Sequence, residues 1–198
     1  TFAGEHDEVI YSQYAFIVYP LVTKAINAVA KEIPAKDWGH DLNGFLTALS
    51  DKTKLIFIAN PNNPTGNFLT EAELDAFLTK VPENVIVVLD EAYTEFTHPS
   101  ERVNSFALLE KYPNLIVSRS LSKAYGLAGL RIGYAVSNPE IADLLNRVRQ
   151  PFNCNSLALT SAIAVMNDDA FVEKVAENNR QEMKRYETFC QQYGLDFI

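Results

Sequence analysis

The chain has 198 residues, 47% apolar and 21% charged, which is enough for one sizeable core and ordinary for a globular protein. Its 17 basic residues against 25 acidic ones leave a net charge of −8, arguing against nucleic-acid binding, which needs a basic face. No apolar run is long enough to span a bilayer, and no cationic start followed by an apolar segment marks a signal peptide, so the expectation is a cytoplasmic protein with no membrane partner.

Taken in chain order, Val9–Tyr11 reads as a short strand. Ile17 to Val29 has helical spacing of apolar residues, with Pro20 in its first turn, where proline is tolerated. Leu42 to Leu49 reads as a short helix and Lys54 to Ala59 as a buried strand. Thr70 with Glu73 three residues on predicts a capping box and a helix to about Lys80. Asn84 to Leu89 is apolar on both faces, as strands of a parallel sheet are. A helix around Ser105 to Glu110, a strand over Leu115 to Ser118 and a strand over Ile132 to Ser137 follow. Pro139 opens a helix to about Val148, Ser156 to Met166 is helical, and Phe171 to Tyr193 is a long, charged helix with a connector's pattern. Strands alternating with helices predict an α/β domain of three layers, α/β/α, around a mostly parallel sheet.

No repeat or linker divides the chain, so we expect one domain over residues 1–198. Thr1 opens in what reads as the tail of an element, and Gly194 to Ile198 read as a turn and the start of a strand. The expectation is a fragment of a longer chain. Cys154 and Cys190 lie in no metal-ligand spacing and read as reduced thiols.

Three stretches carry the chemistry, each after a β-forming run: Asn60 to Gly66, Asp90 to Tyr93, and Ser120 to Lys123 continuing to Arg131. In open α/β sheets ligands sit outside the carboxyl ends of the strands. An amide, a carboxylate with a phenol, and a lysine with an arginine at three such ends fit one ligand with a pyridine nitrogen, a phenolic oxygen, an aldehyde and a phosphate, which is pyridoxal phosphate. Lys123 is the candidate Schiff-base lysine. Such a lysine must be neutral to attack, so it needs desolvation or a cationic neighbour. Leu121, Ala124, Leu127 and Ala128 around it are apolar or small, and Arg131 is a fixed planar cation suited to phosphate, with Ser120 and Ser122 adding hydroxyls.

Asp90 suits a pyridine nitrogen, whose protonated form it would favour. Its alternatives are a helix cap, a satisfied buried acid or a metal ligand, the last opposed by the lack of a nearby histidine. Tyr93 and Asn63 suit the phenolic oxygen, against core and turn as the plain readings. Gly126, Gly129 and Gly133 match neither a dinucleotide fingerprint nor a P-loop and read as turn and close-packing glycines. His6, His40 and His98 read as surface residues, Trp38 as packing, and Phe16, on sequence alone, as a core residue.

Together these residues resemble the large domain of the fold-type I pyridoxal-phosphate aminotransferases, and within them the histidinol-phosphate aminotransferase family. The carriers are Ser12 to Phe16, Asn60 to Gly66, Asp90 to Phe96, Ser120 to Arg131 and Gln150 to Asn153. The resemblance implies that Lys123 forms the Schiff base and moves a proton between the substrate's Cα and the cofactor's C4′. It gives Asp90 the pyridine nitrogen, Tyr93 and Asn63 the phenolic oxygen, and Ser120, Ser122 and Arg131 the phosphate. Phe16 matches the aromatic that stacks on the ring. It further implies a homodimer acting on amino-acid and keto-acid substrates, L-histidinol phosphate with 2-oxoglutarate in histidine biosynthesis. It also implies an N-terminal arm and a small C-terminal domain outside this stretch. Related chains act on aromatic amino acids, decarboxylate threonine phosphate or cleave C–S bonds, and others serve as non-catalytic effector domains, so those readings stay open on sequence alone.

Overall fold

A computed structural model describes residues 1–198. Six strands form one sheet: β1 Glu8–Ser12, β2 Val29–Ile33, β3 Thr53–Ala59, β4 Ile86–Asp90, β5 Leu115–Ser120 and β6 Gly133–Ser137. Their order is β2-β1-β3-β4-β5-β6. All neighbours run parallel except β5 and β6, which are antiparallel. The helices are α1 Val18–Ala25, α2 Leu42–Thr47, α3 Glu71–Leu78, α4 Ser105–Lys111, α5 Pro139–Val148, α6 Ser156–Val165 and α7 Asp169–Tyr193.

Side-chain alternation along the strands sorts the molecule into layers. Ile10, Ile56, Ile58, Val87, Leu89, Leu115 and Val117 point to one face and meet Phe45 of α2, Leu74, Phe77 and Leu78 of α3, and Leu108 of α4 in the main core. Val9, Tyr11 and Ala59 point the other way and pack with Tyr19 of α1, with Phe57 against them. Toward the β6 edge, Leu121 and Ile132 pack with Ala158 and Ala162 of α6. The three-layer, mostly parallel arrangement is the one expected.

The predicted capping box is present. Thr70 Oγ1 accepts from the Glu73 amide at 3.3 Å, and Glu73 Oε2 accepts from the Thr70 amide at 2.8 Å. The long α7 buries only Ala176, in keeping with a connector's pattern.

Two expectations need correction. The helix predicted over 17–29 ends at Ala25. Asn27 then takes a left-handed φ of 55°, and the chain continues as the unpredicted strand β2. That strand lies at the sheet edge and is largely exposed, so it lacks the continuous apolar run that marks β3 and β4. His40 is not a surface histidine: its Nε2 lies 2.8 Å from the Ala59 carbonyl, and burial lowers its pKa.

Candidate active site

The carboxyl ends of β3, β4 and β5 meet the loop after β1 around a cleft of about 320 Å³. All eight residues singled out in the sequence line it: Phe16, Asn63, Asp90, Tyr93, Ser120, Ser122, Lys123 and Arg131. Their convergence follows from register. Asp90 is opposite Ser118 in the β4–β5 pair, and Ser120 lies two residues further along β5 on the same face. Two residues of extended chain put the Ser120 level about 7 Å beyond that of Asp90. A carboxylate and a hydroxyl-and-cation group therefore face one cleft at a separation suited to a small aromatic ring carrying an anionic arm.

Local contacts fix the individual groups. Asn63 Nδ2 donates to Tyr93 Oη at 3.2 Å, which places amide and phenol side by side. Lys123 Nζ stands 5.1 Å from the Tyr93 ring centre, within cation–π range. The Ser122 amide donates to Ser120 Oγ at 3.1 Å. The loop carrying Lys123 is closed by Leu127 N to Leu121 O at 2.9 Å and Gly126 N to Lys123 O at 3.0 Å. Gly126 sits at φ +71°, a turn conformation that favours glycine. Of the four expected flanks, Leu121 and Ala124 are buried, at 2% and 0% exposed, while Leu127 is half-buried and Ala128, like Lys123 itself, is exposed. Desolvation of the lysine is therefore not supplied by the flanks alone.

Arg131 adopts φ 55°, a left-handed backbone that costs a non-glycine residue about 1–2 kcal/mol, and its Nη1 donates to the Ala128 carbonyl at 2.8 Å. A strained residue of this kind is commonly held in place at a functional site.

Two features went unread in the sequence. The first is Tyr19, whose hydroxyl donates to Asp90 Oδ2 at 2.8 Å while the Ala92 amide donates to Oδ1 at 3.1 Å. Its only advance signal was its position three residues after Phe16. The second lies on the opposite face of the sheet. Glu91, 1% exposed, accepts on Oε2 from Arg119 Nη2 at 2.8 Å, from Arg119 Nε at 2.9 Å and from Ser105 Oγ at 3.0 Å. The Arg119 guanidinium also lies 5.1 Å from the Phe106 ring centre. Burial pushes the Glu91 and Glu95 carboxyls upward, with Arg119 partly offsetting it in each case.

The chemistry of the donor set fits pyridoxal phosphate. A carboxylate oriented by one donor on each oxygen presents its remaining lone pairs to a protonated ring nitrogen. An amide and a phenol are paired for an oxyanion, and two hydroxyls, a lysine and an arginine are gathered for an aldehyde and a phosphate.

Comparison with known proteins agrees. The family described as "Aminotransferase class I and II" matches residues 1–196. Histidinol-phosphate aminotransferase 2 of Haemophilus influenzae is 83% identical over the whole chain, which covers 54% of that protein. Histidinol-phosphate aminotransferase 1 of Mannheimia succiniciproducens is 78% identical, again over the whole chain and 54% of that protein. The chain thus spans about half the length of the curated relatives it matches. The crystal structure of histidinol-phosphate aminotransferase from Sinorhizobium meliloti in complex with pyridoxal-5'-phosphate superposes with a TM-score of 0.86 at 32% identity, covering 92% of this chain and 51% of that one. With a cleft that gathers the residues of that chemistry and a family match over nearly its whole length, this chain belongs to the class I and II aminotransferases.

Proposed function

We propose that residues 1–198 are the cofactor-binding large domain of a pyridoxal-phosphate-dependent histidinol-phosphate aminotransferase. The reaction exchanges the amino group of L-histidinol phosphate with the keto group of 2-oxoglutarate. The observation that carries this reading is the convergence of all eight motif residues on one cleft at the strand ends. The names and high identities of the Haemophilus and Mannheimia relatives support the substrate.

Pyridoxal phosphate supplies an aldehyde that takes up amino groups and a protonated pyridine that accepts the electron pair left when an α-proton departs. The chain's residues do the rest. Asp90 holds the proton on the ring nitrogen. Asn63 and Tyr93 donate to the phenolic oxygen, and Phe16 covers one ring face. Ser120, Ser122 and Arg131 bind the phosphate. Lys123 would hold the aldehyde carbon and would move a proton between the substrate's Cα and C4′. Its catalytic share is general acid–base work in water-poor surroundings, which the bound cofactor and the rest of the protein would complete.

The same reading includes a cytoplasmic location and a homodimer, the homodimer supported by the large apolar side chains on open surfaces of α1 and α6, including Leu21, Leu157 and Ile163. No helix is long and apolar enough to cross a membrane.

The test is borohydride reduction in the presence of pyridoxal phosphate, followed by digestion and mass spectrometry. Stoichiometric label on Lys123 alone is expected. In the whole protein, Lys123→Ala is expected to lower transamination by at least about 100-fold while leaving cofactor binding measurable. Label scattered over many lysines, or transamination retained by the variant, refutes the assignment.

A further inference from the structure

Tyr19 touches both of the groups that would orient the cofactor ring. It is 5% exposed, and its hydroxyl reaches Asp90 Oδ2 at 2.8 Å. Its ring stacks on Phe57 with centres 4.5 Å apart and planes 2° apart, and it meets Phe16 edge-on at 5.9 Å and 86°. Thr23 Oγ1 donates to its backbone carbonyl at 2.8 Å. Phenol, ring and backbone are each held by a separate partner, so the hydroxyl has little freedom to point elsewhere.

We infer that Tyr19 is a positioning residue for the cofactor, fixing the plane of the Asp90 carboxylate and the edge of the Phe16 ring so that both address the same pyridine. The inference rests on the reading that the cleft binds pyridoxal phosphate and goes beyond it by adding a residue that no motif names. The geometry gives the reason. Asp90 receives one donor on each oxygen, from the Ala92 amide and from Tyr19, so both torsional freedom and spare acceptor directions are restricted. A carboxylate with only the Ala92 contact would be free to swing about its terminal bond, and the contact to a ring nitrogen would lose its fixed direction. Burial and the negative charge of Asp90 both push the Tyr19 phenol well above its ordinary range, so it remains a donor at all working pH values. The edge contact with Phe16 supplies the second constraint, since an aromatic that stacks on a ligand needs a fixed tilt.

Tyr19→Phe removes only the hydroxyl and keeps both ring contacts, which makes it the variant of choice. Equilibrium dialysis on the whole protein measures the dissociation constants of pyridoxal phosphate and of an analogue whose ring nitrogen is replaced by carbon. Tyr19→Phe is expected to raise the constant for pyridoxal phosphate about 10-fold, the low end of what an outer partner of a ligand-binding group is worth. For the nitrogen-free analogue it is expected to change the constant by less than about 2-fold, because no contact through Asp90 is then at stake. Tyr19→Leu, which also removes the ring contacts, should weaken both ligands. Equal penalties on both ligands in Tyr19→Phe, or no penalty on either, overturn the role of Tyr19. Asp90→Asn separates this failure from a failure of the site itself. If it binds pyridoxal phosphate as tightly as the unmodified protein, or if that protein shows no saturable binding, the cofactor reading falls and Tyr19's role falls with it.

Discussion

Gly133→Ala adds one methyl at the place where the sheet has least room for it. Gly133 faces Ser120 across the antiparallel β5–β6 pair. A Cβ built there would lie 2.6 Å from the Arg119 carbonyl oxygen and 3.4 Å from the Ser120 Cα. The first distance is shorter than real Cβ contacts allow, and the obstructing atom is backbone, so no side chain can rotate out of the way. One strand must move by several tenths of an ångström. Overpacking of this kind costs about 1–3 kcal/mol. β6 is an edge strand and can yield outward, which places the expected loss in the lower half, about 1–2 kcal/mol. At about 2–4 °C per kcal/mol for a domain of this size, thermal unfolding followed by circular dichroism should show a drop of about 2–8 °C. The matched control is Gly129→Ala, where a Cβ meets nothing within 4 Å and the backbone is not left-handed. That variant should stay within about 0.5 kcal/mol of the parent. If the two variants unfold within a degree of each other, the close approach of β6 to the end of β5 is wrong, and with it the placement of Ser120.

Two further outcomes are expected. Thr70→Ala removes the capping-box oxygen of α3 and should cost about 1 kcal/mol in denaturant unfolding, with Thr70→Ser restoring most of it; an unchanged midpoint for Thr70→Ala would show that the cap contributes nothing. Glu95 is 5% exposed with an unpartnered Oε2, and burial raises its carboxyl pKa. A raised acid binds its proton more tightly folded than unfolded, so the fold loses stability as pH climbs from the unfolded value through the folded one. Glu95→Gln cannot ionise, and its melting temperature relative to the parent should therefore rise between pH 4 and pH 8; a flat difference would contradict the burial of that carboxylate.

Much of the arrangement was legible from residues alone because parallel strands announce themselves. β3 and β4 are buried on both faces and read as unbroken apolar runs. Seven of the eight residues that line the cleft could be singled out for a related reason, since their three stretches each follow a β-forming run; Phe16 read as a core residue on sequence alone and was singled out only by the resemblance. What stayed hidden depended on distant partners. β2, Val-Ala-Lys-Glu-Ile, is largely exposed and neither alternates nor forms an apolar run, so nothing local separates it from the helix before it. Tyr19 looks like any aromatic on the buried side of a helix until Asp90 is brought 71 positions along the chain to meet it. The antiparallel turn of β6 was equally silent, since its direction follows from a connection that carries only the short helical turn Ala128–Leu130 and no full crossover helix.

The neighbours Asp90 and Glu91 have divided duties, one facing the cleft and the other locked to Arg119 on the far side of the sheet. A slip of β4 by a single residue in one direction would bring Glu91 to the place of Asp90 and Ala92 to that of Glu91, leaving Arg119 without its carboxylate and delivering the wrong acid to the cleft. The hidden ion pair therefore acts as a proofreader of strand register. A mispaired chain would be penalised in its interior at the same stroke that ruins its chemistry, so molecules that fold stably are also molecules whose active site is in frame.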